Sequence, residues 1–391
     1  MTSSTFRRIA GVLFVCLALG AAYLAGLVTR PAIQAVSAAD HQTAALIDEA
    51  WQLVDDQFYG ALPSQSTRAY AAIRGLLSSL NDSYTVLIEP PAAKLESDQL
   101  RGRFGGIGAE LRRDADGRTR ISPYPNGPAA RAGVAEGDEL IAVDGARVTP
   151  TQRLDEIEAR LRGDVGSRVR LGLRRDGQVL DLEVERAQMA PPSVVWRMID
   201  AAPGIGYISI RSFTDRTSGE VRQAIAALRA QDARALVIDV RDNGGGLLQA
   251  AVDTTGHFVE GPILIEQQRG GGERPYHAAS GGAAVDLPLA VLINHSTASA
   301  SEILAGSLHD RGRAILIGEP TFGKGSVQSV FPLADGSALH ITTAVWLTPS
   351  RQSLSGQSLQ PDIEVKRTAE DVAAGRDPVL DRAAAYLQSQ P

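Results

Sequence analysis

The sequence predicts an α/β protein of several domains, in which N-terminal helices and a β-rich module come before an α/β core. From Ile205 to Pro361, short apolar runs alternate with amphipathic stretches, which is typical of strands and helices in one α/β domain. Between 95 and 187, strand-like segments are separated by glycine-rich turns. From His41 to about Glu89, apolar residues recur at helical spacing. We place the domains at 1–39, 40–94, 95–187 and 188–391.

The composition limits the partners of this 391-residue chain. It is 44% hydrophobic, as in a globular protein, and its net charge of −6 gives no reason to expect nucleic acid as a partner. Its only cysteine, Cys16, lies in the N-terminal apolar segment, so disulfides and thiol chemistry are excluded from the rest of the chain. The histidines are scattered without the spacing of metal ligands, and we expect no metal and no other cofactor.

Residues 1–39 predict a transmembrane anchor or a signal segment. Ile9–Val28 is twenty residues without a charge, and a helix of that length spans about 30 Å, the thickness of a bilayer core. Arg7 and Arg8 before it and Arg30 after it favour a cytoplasmic N-terminus. The alternative is a cleaved signal peptide, because Val36–Ala38 resembles a cleavage site. Both interpretations place the remaining chain outside the cytoplasm, on the periplasmic side of the inner membrane or secreted.

The region 40–94 is expected to be helical up to about Glu89. Ala44–Phe58 and Ala69–Leu80 each place apolar residues on one helix face, and Pro90 and Pro91 close the region. The first of these faces contains Leu46, Ile47, Ala50, Leu53 and Val54.

The module at 95–187 contains a specific set of motifs. They are Gly127-Pro128-Ala129-Ala130, Ala132-Gly133-Val134, Gly137-Asp138 and Ile141 with Val143-Asp144-Gly145. This stretch resembles a PDZ domain of the bacterial type. The resemblance implies that a loop offers backbone N–H groups to the terminal carboxylate of a peptide, which then adds to the sheet as a strand. That loop matches Phe104, Gly105, Gly106, Ile107 and Gly108.

The chemistry of the core is concentrated between Asn294 and Gln328. An apolar strand, Leu289–Asn294, is followed by a turn of small residues and by an amphipathic helix that begins near Ser299. A second apolar strand, Ala314–Gly318, leads to Lys324 between two glycines. A serine at a strand-to-helix turn projects its hydroxyl where backbone N–H groups stabilise negative charge. These residues therefore predict a nucleophile and its base.

Two other kinds of site compete with this interpretation. Gly318–Lys324 has the spacing of a phosphate-binding loop, but Gly325 stands where such a loop needs Ser or Thr, and a strand follows instead of a helix. His309 and Asp310 would complete a triad with Ser299. They lie ten and eleven residues further along one helix, about 15 Å away, which is beyond hydrogen-bond reach.

A serine–lysine dyad requires a neutral lysine. The pKa of Lys324 must fall by roughly 3 units, about 4 kcal/mol, and burial beside apolar neighbours such as Phe322 and Val327 would lower it. Ser296 and Ser301 are expected to cap and support the start of the helix.

Four motifs carry a resemblance to the carboxyl-terminal processing peptidases, also called tail-specific proteases. They are Thr297–Ile303, Gly318–Gly325, Val327-Gln328 and Gln360–Ile363, and the resemblance covers nearly everything from His41 onward. It implies an α/β core related in shape to crotonase-like enzymes, with Ser299 as nucleophile, Lys324 as general base and Gln328 orienting the lysine. Asp310 matches an aspartate sometimes grouped with the catalytic set, and we expect a structural role for it near the helix end.

The same resemblance implies an oxyanion hole made of two backbone N–H groups. Ala300 supplies one, and Gly245, in the turn Asp242–Leu247, supplies the other. The family usually has proline where this chain has Gly244, and glycine leaves the turn less restricted.

These observations predict an exported or membrane-tethered serine endopeptidase. Its partners are polypeptides that it recognises by a free C-terminus. The alternative is a catalytically silent scaffold in which the PDZ module binds peptides, and intact Ser299 and Lys324 argue against it. An adaptor protein, a homo-oligomer and the physiological substrate are left open by the sequence.

Overall fold

The computed structural model describes residues 38–114, 116–279 and 281–390. Of these, the residues up to Ala72 belong to one compact unit and those from Ile73 onward to a second. Helix α1 (Ala38–Gln57) lies in the first unit, and α2 (Gln65–Ser78) begins there and ends in the second. The predicted apolar face of α1 is largely exposed, with Leu46 at 65%.

The predicted anchor, Ile9–Val28, lies outside the described residues. Within the ranges that the structure describes, none of the helices is both long and apolar enough to cross a bilayer.

The prediction of helix up to Glu89 is wrong at one segment. Strand β1 (Val86–Ile88) follows α2, and helix α3 (Pro90–Leu100) follows β1. β1 pairs antiparallel with a strand near the C-terminus, with Val86 opposite His340. Pairing with a distant strand therefore overrides the local pattern. Helix α3 begins at the paired prolines because the first helical position needs no N–H donor.

The β-rich module is an antiparallel sheet covered by two short helices. Its strands are β3 (Ala109–Arg113), β4 (Thr119–Pro123), β5 (Asp138–Val143), β6 (Ala146–Arg147), β7 (Arg168–Arg175) and β8 (Gln178–Glu185). The order is β3-β4-β5-β7-β8, with β6 on β5, so β3 is an edge strand. The helices are α4 (Pro128–Arg131) and α5 (Leu154–Leu161). Ile121, Ile157 and Leu171 are fully buried in its core.

A two-stranded ribbon lies beside this sheet. It pairs β2 (Phe104–Gly106) with β9 (Ala187–Met189) in antiparallel register.

The α/β core is built on a second sheet of six strands in the order β10-β11-β12-β15-β16-β19. They are β10 (Val194–Met198), β11 (Ile205–Ile210), β12 (Ala235–Asp239), β15 (Leu289–Ile293), β16 (Ile315–Gly318) and β19 (Ile363–Glu364). All neighbouring pairs are parallel except β10 with β11. Every residue of β12 and β15 is buried, as expected of parallel strands covered on both faces.

Helices cover both faces of this parallel sheet. One face packs against α6 (Thr217–Arg229), α7 (Leu248–Thr255) and α8 (Ala300–Asp310). The other packs against α10 (Pro378–Gln388), which follows the short α9 (Ala369–Ala373). Successive side chains of β12 point to opposite faces of the sheet. Ile238 is therefore buried in the core on the first face, and Val237 is buried in the core on the second face.

A further sheet lies next to the parallel one. It contains β1, β13 (Pro262–Gln268), β14 (Glu273–His277), β17 (Ser326–Pro332) and β18 (Ala338–Leu347). The ten-residue strand β18 has β1 and β13 along one edge and β17 along the other. The predicted fold class, with N-terminal helices, a β-rich module and an α/β core, is confirmed.

Candidate active site

Ser299 stands at a strained turn between β15 and α8. Its backbone has φ 56° and ψ −117°, a left-handed conformation that is costly for a residue other than glycine, about 1–3 kcal/mol. The turn is attached to the sheet because the Thr297 hydroxyl donates to the Val240 carbonyl at 2.9 Å. The prediction of a helix starting near Ser299 is confirmed, since α8 begins at Ala300.

The buried carboxylate of Glu302 joins the nucleophile turn to the lysine loop. It accepts hydrogen bonds from the Ser299 N–H at 2.8 Å, the Thr321 hydroxyl at 2.6 Å, the Gly323 N–H at 2.7 Å and the Lys324 N–H at 2.9 Å. Glu302 has no exposed surface. Sequence reasoning missed it, although Ser299 and Glu302 fit the S-x-x-E pattern of a capping box.

Lys324 lies in a half-buried position under an aromatic ring. Its ammonium nitrogen is 4.8 Å from the centre of the Tyr84 ring, and its carbonyl accepts from the Trp346 indole N–H at 3.2 Å. Burial lowers the pKa of Lys324 from its ordinary value, as a general base requires. The negative charges of Glu96, Glu302 and Asp82, in that order, oppose this shift.

The source of this burial differs from the one expected. Phe322 is 56% exposed, and the aromatic ring that faces the ammonium belongs to Tyr84. Val327 packs against the main core, and its expected contact with Lys324 stays a prediction. Tyr84 is 240 residues away from Lys324 in the chain, so local sequence carried no signal for this contact.

The predicted oxyanion turn lies directly against Ser299. A Cβ placed on Gly245 would lie 2.9 Å from the Ser299 Cβ and 3.0 Å from the Ala300 nitrogen, so only glycine fits here. Gly245 also has φ 109°, which other residues rarely adopt. In this conformation the Gly245 N–H group already donates a hydrogen bond to the Asn243 side-chain oxygen, at 2.9 Å.

Asn243 attaches the turn to its surroundings on two sides. Its side-chain amide donates to the Ile210 carbonyl at 2.8 Å, and its own carbonyl accepts from the Ala298 N–H and the Ser301 hydroxyl. Ser301 therefore stabilises the oxyanion turn and does not cap the helix as expected. These bonds hold the turn in place although Gly244 leaves its backbone less restricted.

Two further predicted residues, Gln328 and Asp310, form hydrogen bonds with residues other than Ser299 and Lys324. The Gln328 amide donates to the Ser326 and Thr342 hydroxyls, and none of the hydrogen bonds among the described residues joins Gln328 to Lys324. Its orienting role stays a prediction. Asp310 accepts a bond from the Ser350 N–H at 2.7 Å near the end of α8.

The histidine that a triad would require is also remote. His309 Nε2 is 3.0 Å from Asp362 Oδ1, at the opposite end of α8 from Ser299. The argument against a serine–histidine–aspartate triad is consistent with this placement.

The predicted carboxylate loop is partly a strand. Phe104–Gly106 forms β2 because it pairs with β9, so the expectation of a free loop is wrong for these three residues. Phe104, Gly106, Ile107 and Gly108 line a groove of about 380 Å³ between the open edge of β3 and α5. Gly105 faces the Gly163 backbone instead.

A cleft of about 550 Å³ begins at the oxyanion turn. Its walls include Asn243–Gly246, Glu96 and Arg211. Phe104, Arg162 and Pro191 line both this cleft and the groove of the β-rich module. The two cavities are therefore adjacent.

Comparison with known proteins identifies the class of protein. Residues 204–365 match the model of peptidase family S41, and residues 121–175 match a PDZ domain. The carboxyl-terminal-processing protease of Picosynechococcus is 34% identical over 318 residues, which are 80% of this chain and 76% of that protein. The carboxy-terminal processing protease CtpB of Bacillus subtilis is 32% identical over 82% of this chain and 67% of its own.

A solved structure from Bacteroides fragilis assigned to the S41 proteases supports the fold alone. It has a TM-score of 0.53 and 16% identity and covers 88% of this chain and 97% of its own. The chain belongs to the carboxyl-terminal-processing proteases of peptidase family S41, and it is a serine-type endopeptidase with a PDZ domain. The alternative of a silent scaffold is set aside.

The turn geometry leads to a test with a matched pair of glycines. Gly245→Ala should reduce kcat at least about 100-fold, because the added methyl group meets Ser299 and the oxyanion position. Gly244→Ala should retain kcat, because nothing lies within 4 Å of the added Cβ. Steady-state kinetics and thermal unfolding of both variants provide the measurement. Equal kcat values for the two variants would contradict the assignment of the turn.

Proposed function

We propose that the chain hydrolyses peptide bonds with Ser299 as nucleophile and Lys324 as its base. The observation that carries the proposal is the Glu302 network, which holds the backbone of both residues against one carboxylate. The family match supports the same roles. Gln328 is proposed to orient the lysine once substrate is bound.

The reaction proceeds in two stages. Neutral Lys324 accepts the Ser299 hydroxyl proton as the oxygen attacks the scissile carbonyl carbon, and the tetrahedral oxyanion forms. The N–H groups of Ala300 and Gly245 stabilise it, the latter by exchanging Asn243 for a stronger, charged acceptor. Lys324 then protonates the departing amine. Next it deprotonates a water molecule, which attacks the acyl carbon; as the ester bond to Ser299 breaks, Lys324 returns this proton to the serine oxygen and is neutral again.

The dyad predicts the effect of removing either side chain. Ser299→Ala and Lys324→Ala should each lower kcat/KM at least about 1,000-fold, because catalytic residues that act together lose most of their effect when either one is removed. His309→Ala is the control and should keep most activity. In the wild type, kcat/KM should rise with pH along an acid limb below the ordinary lysine pKa, because burial favours the neutral base. Retained turnover in folded Lys324→Ala would exclude the dyad.

We also propose that substrates enter by a free C-terminus through the PDZ groove. A peptide can add to the open edge of β3, and its remaining residues can continue into the adjoining cleft past Arg162. Phe104 and Gly106–Gly108 would surround its terminal carboxylate at the end of the groove.

The carboxylate contact predicts a preference between two matched peptides. A peptide with a free C-terminus should have a kcat/KM about tenfold higher than its amidated form, because a charged acceptor strengthens hydrogen bonds to backbone N–H groups. Gly106→Val should reduce this ratio, since a Cβ there would lie 3.0 Å from Met189 and Phe104 side-chain atoms. Equal rates for the two peptides at sub-saturating concentration would show that the tail is not recognised here.

Export of the protein is a proposal that rests on the sequence of Ile9–Val28. Its apolar length and the flanking arginines favour a membrane anchor with the protease domain outside the cytoplasm. Full-length protein should remain in carbonate-washed membranes, and protease added to intact spheroplasts should digest it. Mass spectrometry of the mature N-terminus distinguishes the anchor from a cleaved signal. A cytosolic protein with its N-terminus intact would exclude export.

A further inference from the structure

Strand β17 begins two residues after Lys324 and has an open edge. It pairs with β18 on one side, and none of the described strands pairs with its other side. Exposure increases along the strand, from partly buried at Ser326 to 50% at Val330 and 46% at Phe331. A row of backbone groups without strand partners therefore leads away from the lysine.

The hydrogen bonds that flank β17 show which of its backbone groups face outward. The Gly325 carbonyl accepts from the Trp346 N–H at 2.9 Å, and the Leu333 N–H donates to the Ser337 carbonyl at 2.8 Å. Both Gly325 and Leu333 therefore direct their backbone groups toward the strand β18 side. In an antiparallel pair this direction alternates from residue to residue, so every second residue between them faces the open edge.

The irregularity in the β17–β18 ladder leaves this alternation intact. Val327 lies opposite Ala344. Gln328 lies opposite Thr342, so the extra residue belongs to β18. The Thr342 N–H donates away from β17, to the Thr85 hydroxyl at 3.1 Å, as the alternation requires. The residues whose backbone groups face the open edge are Ser326, Gln328, Val330 and Pro332, of which the proline has no N–H.

The composition of β17 also differs from that of the other open edges. Exposed edge strands usually contain charged residues, because an uncharged edge pairs readily with another chain. In the part of the chain that the structure describes, the other strands longer than three residues with an open edge are β3, β8, β10 and β14, and each contains charged residues. β17 contains none, and only Pro332 at its end limits pairing.

We propose that the open edge of β17 binds the polypeptide substrate as an added strand, on the N-terminal side of the scissile bond. The inference rests on the proposed dyad, because the edge begins beside Lys324 and the scissile carbonyl lies at Ser299. The groove and the cleft described above receive the C-terminal part, and no residue of β17 lines either of them. Backbone pairing is independent of side chains, so this edge binds the substrate main chain.

The position of Val330 allows a test by substrate length. Val330 lies six residues beyond Lys324, about 20 Å along an extended strand. Two peptides share the scissile bond and the whole C-terminal part. One has about three residues before the scissile bond and the other about eight, so only the longer peptide reaches Val330.

The ratio of kcat/KM for the long peptide to that for the short one is measured with full-length protein. Val330→Pro should lower this ratio about fivefold, because it removes one outward N–H and no hydrogen bond to β18. Val330→Ala keeps the N–H and should keep the wild-type ratio. An unchanged ratio in Val330→Pro, or an equal fall in Val330→Ala, would overturn the proposal.

A second measurement uses the wild type and does not depend on the folding of a variant. Single N-methyl groups are placed on successive residues of the long peptide, before the scissile bond and away from it. The value of kcat/KM should fall at alternate residues, because an added strand directs every second N–H toward β17. Equal values at neighbouring residues throughout this segment would show that it does not bind as a strand.

A second copy of the chain is the competing occupant of this edge. Sedimentation of wild type and Val330→Pro tests it, and a dimer lost in the variant with an unchanged peptide ratio would assign the edge to self-association and overturn the proposal. The proposed dyad is tested separately by Lys324→Ala. If that variant is inactive while the peptide ratio and the N-methyl series show no effect, the dyad stands and only the role of β17 fails.

Discussion

The catalytic geometry depends on one buried carboxylate, that of Glu302. A charge removed from water is costly unless hydrogen bonds replace its hydration, and four donors from two separate segments do so here. Because the donors belong to the nucleophile turn and to the lysine loop, the two cannot separate without leaving Glu302 unsatisfied. The strained backbone of Ser299 is held by the same side chain, which explains how the turn keeps its conformation.

The pKa of Lys324, the proposed base, is subject to two opposing effects. Burial lowers the pKa of Lys324, and nearby carboxylates together with the Tyr84 ring favour its charged form. Glu302 is needed for the backbone geometry, so its charge near the lysine is a consequence of the architecture.

The adjoining cavities relate the PDZ domain to the protease core. Phe104 and Arg162 line both the groove and the cleft, with the Arg162 guanidinium 4.3 Å from the centre of the Phe104 ring. Helix α3, which carries Glu96, forms another wall of the same cleft. The groove of the PDZ domain and the cleft of the protease core therefore share part of their walls.

Local pattern in the sequence determined the secondary structure of the core, the helix start at Ser299 and the lysine between glycines, because hydrophobic periodicity and turn residues act over a few positions. The tertiary structure alone decided which distant groups meet. Val86–Ile88 became a strand because β18 was available for pairing, and Tyr84 rather than Phe322 covers Lys324. Asn243 holds the turn through bonds to Ile210 and Ser301. Such contacts depend on packing between elements, which no short-range pattern encodes.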